Sequence, residues 1–172
     1  MSLKKSSVLI VICALMIASC SKSPSTNPDL CSDKLKDGSE TEIDCGGSCS
    51  PCPAGAALSG TFGADPYVAS NISKNYNSPT DALQISTTGT ANESFSFEFV
   101  GTNIGVSNVT NASGNFSFNS YSLSPSRPGT VTITSKDSLR NIISGSFHVN
   151  LIEYGVGTQD SIVGSFTNVR IN

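Results

Sequence analysis

The sequence predicts an all-β chain. Residues 57–172 read as a single antiparallel β-sandwich or small barrel of about eight to nine strands, set behind a signal peptide (1–19), a flexible tether (20–30) and a disulfide-tied acidic spacer (31–56). Three observations carry that prediction. From Ala57 onward, apolar and polar residues alternate in short runs divided by Gly, Asn, Pro and Ser. The chain is rich in Ser, Thr, Asn and Gly, lacks Trp and is only 13% charged, a mixture that suits strands and turns better than helices. After the leader, no stretch carries the 3.6-residue period of a long amphipathic helix.

The leader comes first. Lys4 and Lys5 form a positive n-region, Val8 to Ala18 are continuously apolar, and Ala18 and Ser19 meet the small-residue requirement of a signal peptidase. That run is shorter than the roughly 20 residues a spanning helix needs. Cys13 lies inside it and leaves with it. Ile17-Ala18-Ser19-Cys20 resembles the lipobox of bacterial lipoproteins, which implies Cys20 as the lipidated first residue of the mature chain. An ordinary secretory leader cut nearby would instead leave Cys20 as a lone thiol. Several acyl chains on one residue anchor stably, since each buried methylene contributes about 0.8 kcal/mol. Ser21, Lys22 and Ser23 follow without the aspartate that the inner-membrane retention rule places second. The resemblance therefore implies an outer-membrane address, with the leaflet open.

Removing residues 1–19 takes two of ten Lys and Arg and none of thirteen Asp and Glu, so the mature charge is 8 − 13 = −5. A mildly acidic chain without basic runs is a poor partner for nucleic acid. The partners this address implies are the membrane, through the N-terminal lipid, and an envelope protein or glycan.

Residues 21–29 have nothing to bury and read as a spacer. Cys31, Cys45, Cys49 and Cys52 follow within one short segment. An even cysteine count in an oxidising compartment predicts two disulfides, with three pairings open. The Cys49–Cys52 CxxC raises zinc as a competitor, which would need reduced thiols outside the cytoplasm. Asp37, Gly38, Glu40, Thr41, Asp44, Cys45, Gly46, Gly47, Cys49 and Cys52 resemble a cysteine-rich segment of Bacteroidetes-type secreted proteins and lipoproteins, where it sits as a spacer between modules. Asp33, Asp37, Glu40, Glu42 and Asp44 crowd the same loop, making it a candidate for calcium. Read as an EF-hand from Asp33, the third position is Leu35 and the closing Glu is missing, so only an irregular loop fits. The bland reading is a solvated acidic turn.

The strands follow. Phe95, Phe97 and Phe99 alternate with Ser96, Glu98 and Val100, giving one aromatic face. Phe116 and Phe118 alternate with Ser117 and Asn119, which places both rings on one face of a strand. Val131 and Ile133 alternate with threonines. Phe147, Val149 and Leu151 share a face, with His148, Asn150 and Ile152 opposite. Between Ser161 and Ile171 the apolar parity changes, and a bulge near Asn168 would carry it across. Four Gly-x-Phe runs begin at Gly60, Gly114, Gly145 and Gly164 without a fixed period, and their glycines read as bends that let a sheet curl. The segments Pro128–Thr134, Ile143–Phe147 and Gly164–Val169 resemble the C-terminal half of an uncharacterised β-domain family of the same bacterial lipoproteins, which supports the fold and brings no activity.

Catalytic chemistry finds little purchase. His148 is the only histidine and faces solvent by parity, no Gly-x-Ser-x-Gly elbow precedes a helix, and one imidazole cannot build a catalytic zinc site. Glu98 and Glu153 could form a glycosidase pair if they converged. A sugar-binding surface would lean on Tyr67, Tyr76, Tyr121 and Tyr154, given the absence of Trp. Asp137-Ser138-Leu139 and Asp160-Ser161-Ile162 resemble O-glycan acceptors, making Ser138 and Ser161 candidate modified residues. The expectation is a non-enzymatic envelope lipoprotein that binds or scaffolds. A lipocalin-like carrier of a small apolar ligand is the first alternative, and a glycan-active enzyme the second. No cofactor is called for beyond calcium in the spacer.

Overall fold

The computed structural model describes residues 28–171; the signal peptide, Cys20 and the tether to residue 27 lie outside them. The alternating runs become nine antiparallel strands: β1 (Ala57–Phe62), β2 (Asp65–Asn77), β3 (Ala82–Gly89), β4 (Ser94–Val100), β5 (Gly105–Phe116), β6 (Asn119–Leu123), β7 (Gly129–Asp137), β8 (Ile142–Glu153) and β9 (Gln159–Arg170). Each pairs with its neighbour in sequence, except that β6 and β7 do not pair with each other. The first strand pairs with both β2 and β9, and that pairing closes the sheet into a barrel. Closure gives every strand a partner on both sides over at least part of its length.

Nine strands fill eight barrel positions. The start of β5 pairs with β7 at Asn108↔Thr130 and its end with β6 at Phe116↔Asn119. On the other side, β8 pairs with β7 up to Val149 and with β6 from Leu151. Thus β6 and β7 are one stave interrupted at Ser124–Pro128, and the break is tied down by Ser124 N donating to Asn150 O and Asn150 N donating to Pro128 O.

The inward side chains fill the barrel. Phe95, Phe97, Phe99, Phe116, Phe147 and Phe166 are all buried. Ring centroids lie 5.2 Å apart for Phe95–Phe97, 5.1 Å for Phe97–Phe147 and 4.0 Å for Phe62–Phe116. Each such ring contributes about 1.5–3 kcal/mol by leaving water. The outward positions are mainly Ser, Thr and Asn, the reverse of a membrane-spanning barrel, which is apolar outside.

The Gly-x-Phe runs have a more specific cause than bending. Gly145-Ser146-Phe147 lies antiparallel to Gly164-Ser165-Phe166, with Gly145 opposite Phe166 and Phe147 opposite Gly164. A Cβ on Gly164 would sit 2.7 Å from Phe147 Cζ, and one on Gly145 would sit 2.9 Å from Phe166 Cζ. Each ring lies over the bare glycine of its neighbour, so the motif is a reciprocal packing device.

The last strand behaves as its parity change predicts. Asn168 has φ 54°, the β8–β9 register slips between Ile143 and Gly145, and Val169 and Ile171 are buried beyond the slip. The expectation that Phe118 shares a strand face with Phe116 is corrected. Ser117 and Phe118 are the two-residue turn between β5 and β6, with φ 48° and 70°, and the Phe118 ring is fully exposed. A two-residue hairpin turn with positive φ at both positions matches the strand twist and here overrides the alternation.

The spacer carries crossed disulfides, Cys31–Cys49 and Cys45–Cys52, with Cα–Cα distances of 5.6 and 4.9 Å. It meets the barrel at the end that bears the β7–β8 turn, touching that turn and the last residues of β9. Arg140 Nη2 donates to Asp44 O at 2.7 Å, and Arg170 pairs with Glu42. The opposite end, bearing the turn at Phe118 and the β8–β9 loop, is free of the spacer.

Candidate functional site

Because β2 to β6 run side by side, their outward residues fall into rows. One row reads Asn71, Thr88, Ser94, Asn115, Ser120 across five strands. The next reads Ser73, Ser86, Ser96, Ser113, Ser122, a ladder of five serines in direct register. The third reads Asn75, Gln84, Glu98, Asn111, and only Glu98 in the three rows is charged. Adjacent strands lie about 4.8 Å apart, so hydroxyls and amides repeat at that spacing.

These groups are pre-ordered. Asn115 Nδ2 donates to Ser94 Oγ at 3.2 Å while its Oδ1 accepts from Ser120 Oγ at 2.8 Å. Gln84 Nε2 donates to Ser96 Oγ at 3.2 Å, and Glu98 Oε1 accepts from Thr110 Oγ1 at 3.1 Å. The first two rows line a trough of about 410 Å³. Asn115 also lines a second hollow of about 530 Å³ with Asn92, Glu93, Ser117 and Phe118. A polar trough therefore runs into a site flanked by an exposed phenyl ring, an amide and a carboxylate.

Phe118 was missed in the sequence because Ser117-Phe118 carries none of the Asn-Gly or Asp-Gly turn signal. A positive φ on a residue with a Cβ costs about 1–2 kcal/mol, and full exposure of a phenyl ring forgoes its burial.

Of the tyrosines singled out for sugar contact, Tyr67 is buried, with its OH 2.7 Å from Thr87 Oγ1, and burial raises its pKa. Tyr76 donates to Asp81 Oδ1 at 3.0 Å. Tyr121 packs on the core beside Phe62. Tyr154 alone is well exposed, at the same barrel end as Phe118.

The barrel wall is slotted beside β1. β1 begins at Ala57, so β2 beyond Val68 and β9 beyond Thr167 lose their common neighbour. Between them lies a cleft of about 210 Å³ floored by Ile72, Ile142 and Val169 and flanked by Lys74 and Arg170. Burial and the Arg170 charge lower the Lys74 pKa.

The other candidates fall apart in space or are accounted for. His148 is exposed on β8 opposite Thr130. Glu98 lies on β4 and Glu153 at the end of β8, which are not neighbouring staves. Ser138 is exposed in the β7–β8 turn, whereas Ser161 is half-buried within β9. In the spacer, Glu40 lies near the sulfurs of Cys31 and Cys49, and Glu42 near those of Cys45 and Cys52. All four sulfurs are in disulfides and offer no thiolate, which removes zinc. Of the calcium candidates, Glu42 is engaged by Arg170, while Asp33, Asp37, Glu40 and Asp44 remain on one loop.

At the spacer end, Asp81 joins the β2–β3 and β4–β5 connections by accepting from Thr102 N, Thr102 Oγ1 and Tyr76 OH. Burial disfavours its charge, but the Thr102 and Tyr76 bonds and the Lys136 charge outweigh that and hold its pKa below the ordinary value.

No protein-family model matches the chain, and no curated protein or solved structure proved similar to it.

Proposed function

We propose that this protein is a non-enzymatic envelope module, anchored at the outer membrane by lipid on Cys20, that holds a neutral glycan chain along the outer face of β2–β6. The observation that carries the reading is Phe118, a fully exposed ring fixed on a strained turn at the end of a trough of uncharged hydroxyls and amides. A sugar ring stacks on an aromatic face while its hydroxyls take directional hydrogen bonds. With one carboxylate and no cation among its rows, the face complements an uncharged polyol and disfavours an anionic polymer. The spacer leads from the opposite barrel end, so a tether there points the Phe118 end away from the membrane.

Affinity electrophoresis of the mature chain in gels containing β-glucan, xylan or mannan tests the reading. Retardation by one of them, abolished by Phe118→Ala with unchanged melting, supports it; unchanged mobility in all three overturns it. For the anchor, Cys20→Ala is expected to move the protein from the membrane to the soluble fraction, and retention at the membrane would defeat that part.

The carrier reading draws support from the slot alone, because rings fill the barrel interior. A stoichiometric small amphiphile in the native mass spectrum would favour it. Separate placement of Glu98 and Glu153 lends nothing to a glycosidase.

A further inference from the structure

The spacer holds a set of acidic oxygens that its own hydrogen bonds leave unserved. Asp44 is fully buried, and although its Oδ1 accepts from Lys34 N at 3.0 Å, its Oδ2 is buried without any donor. Asp37 Oδ1 is likewise buried without a donor. Glu40 Oε2 accepts from Asp44 N at 3.0 Å and Asp37 N at 3.4 Å, but its Oε1 faces Cys49 Sγ at 3.2 Å. That sulfur is in a disulfide and has no proton to give. Burying an anionic oxygen without a partner is among the most expensive things a fold can do.

Among the described residues no lysine or arginine forms an ion pair with these orphaned oxygens. Arg140 reaches the loop, donating through Nη1 to Asp137 and through Nη2 to the main-chain oxygen of Asp44, while its buried Nε has no acceptor. Arg170 is engaged by Glu42.

We infer that the spacer is a calcium site, in which Asp37, Glu40 and Asp44 supply the primary carboxylate oxygens and Asp33 a further one. Calcium fits the donor set: hard oxygen ligands, several of them charged, on an irregular loop that can complete six to eight contacts with main-chain carbonyls and water. Magnesium demands an octahedron and gives up its water reluctantly, which an irregular loop serves poorly. The crossed disulfides hold the backbone, and ligation requires the Asp37, Glu40 and Asp44 carboxylates, which do not converge on one point in this structure, to turn toward the ion. Asp44 both offers an orphaned oxygen to the ion and accepts from Arg140 through its main chain, so the ion also stiffens the junction between spacer and barrel. The inference is independent of the glycan reading.

The test is calorimetric titration of the mature, disulfide-intact chain with calcium, and separately with magnesium, in a chelator-stripped buffer. One calcium is expected to bind with a dissociation constant of about 10⁻⁴ to 10⁻³ M, the range of extracellular calcium modules, with magnesium at least about tenfold weaker. Asp37→Asn and Asp44→Asn are each expected to weaken calcium by about tenfold or more, and Glu42→Gln to leave it unchanged. Two neutralising variants at different positions, each checked for intact disulfides by unreduced mass, guard against a folding defect at one of them. Absence of saturable heat at about 10 mM calcium overturns the proposal. So does unchanged, wild-type affinity in both Asn variants, which would mean diffuse surface binding.

Discussion

The barrel and the spacer are built from opposite materials. In the barrel, rings from different staves pack on one another and on bare glycines, and charged groups are nearly absent from the interior. In the spacer, among the described residues, Cys45 and Asp44 alone are buried, and order comes from two crossed disulfides. Two arginines, Arg140 and Arg170, join them. The difference teaches where each is vulnerable: the barrel to a lost ring, the spacer to reduction.

The largest expected effect is in the barrel. Phe97 is fully buried and packs on Phe95, Phe99 and Phe147, so Phe97→Ala is expected to cost about 3–5 kcal/mol in a denaturant titration. A loss well under that range would mean the interior is loosely filled, which would revive carriage of an apolar ligand inside the barrel.

Next comes the spacer. Replacing Cys31 and Cys49 by Ser opens a link across 18 residues and should remove about 3 kcal/mol of the spacer's own order. The barrel should keep its melting temperature, because the polar contacts that couple the two regions among the described residues are few, at Arg140 and Arg170. Hydrogen exchange resolves this directly: faster exchange in residues 31–52 with β8 and β9 still protected is the expected pattern. If the barrel melts as early as the Phe97 variant, the two regions are one cooperative unit and the contrast fails.

How far the sequence shows this architecture depends on the range of the forces involved. The aromatic row at Phe95, Phe97 and Phe99 and the bulge at Asn168 are legible because side-chain direction alternates with a period of two. Closure is not, since it rests on Ala57 meeting Thr167 across the whole domain, a pairing no local pattern encodes. The disulfide pairing is equally remote from spacing. The serine ladder is visible only once the registers of five strands are known, and Phe118 is hidden because alternation and turn compete for the same residues. The acidic loop is plain in the sequence, but the sequence does not reveal which of its oxygens lack donors.

A smaller effect tests the barrel end beneath the spacer. Asp81→Asn removes the charge while keeping an αL-tolerant residue at φ 50°, and should cost about 1.5 kcal/mol at neutral pH through weaker bonds to Thr102 and Tyr76. The folded pKa of Asp81 lies below its unfolded value of about 3.9, so the wild-type advantage is complete above that pH and disappears as pH falls through the folded pKa. Parallel acid titrations of the two proteins should converge at low pH. A constant gap down to the acid limit would assign the loss to packing instead of charge.

The smallest expected effect has the opposite sign and bears on function. Phe118 sits at φ 70° in a turn where glycine would carry no Cβ penalty, and its ring touches nothing that would be lost from the core. Phe118→Gly should therefore stabilise the barrel by about 1 kcal/mol. If the ring is the platform for a sugar, the same variant must lose all retardation in the polysaccharide gel. A stabilised variant without binding would show strain retained at a working residue. A stabilised variant that still binds would move the glycan onto the serine ladder alone, where Ser96→Lys and Ser113→Lys become the decisive substitutions.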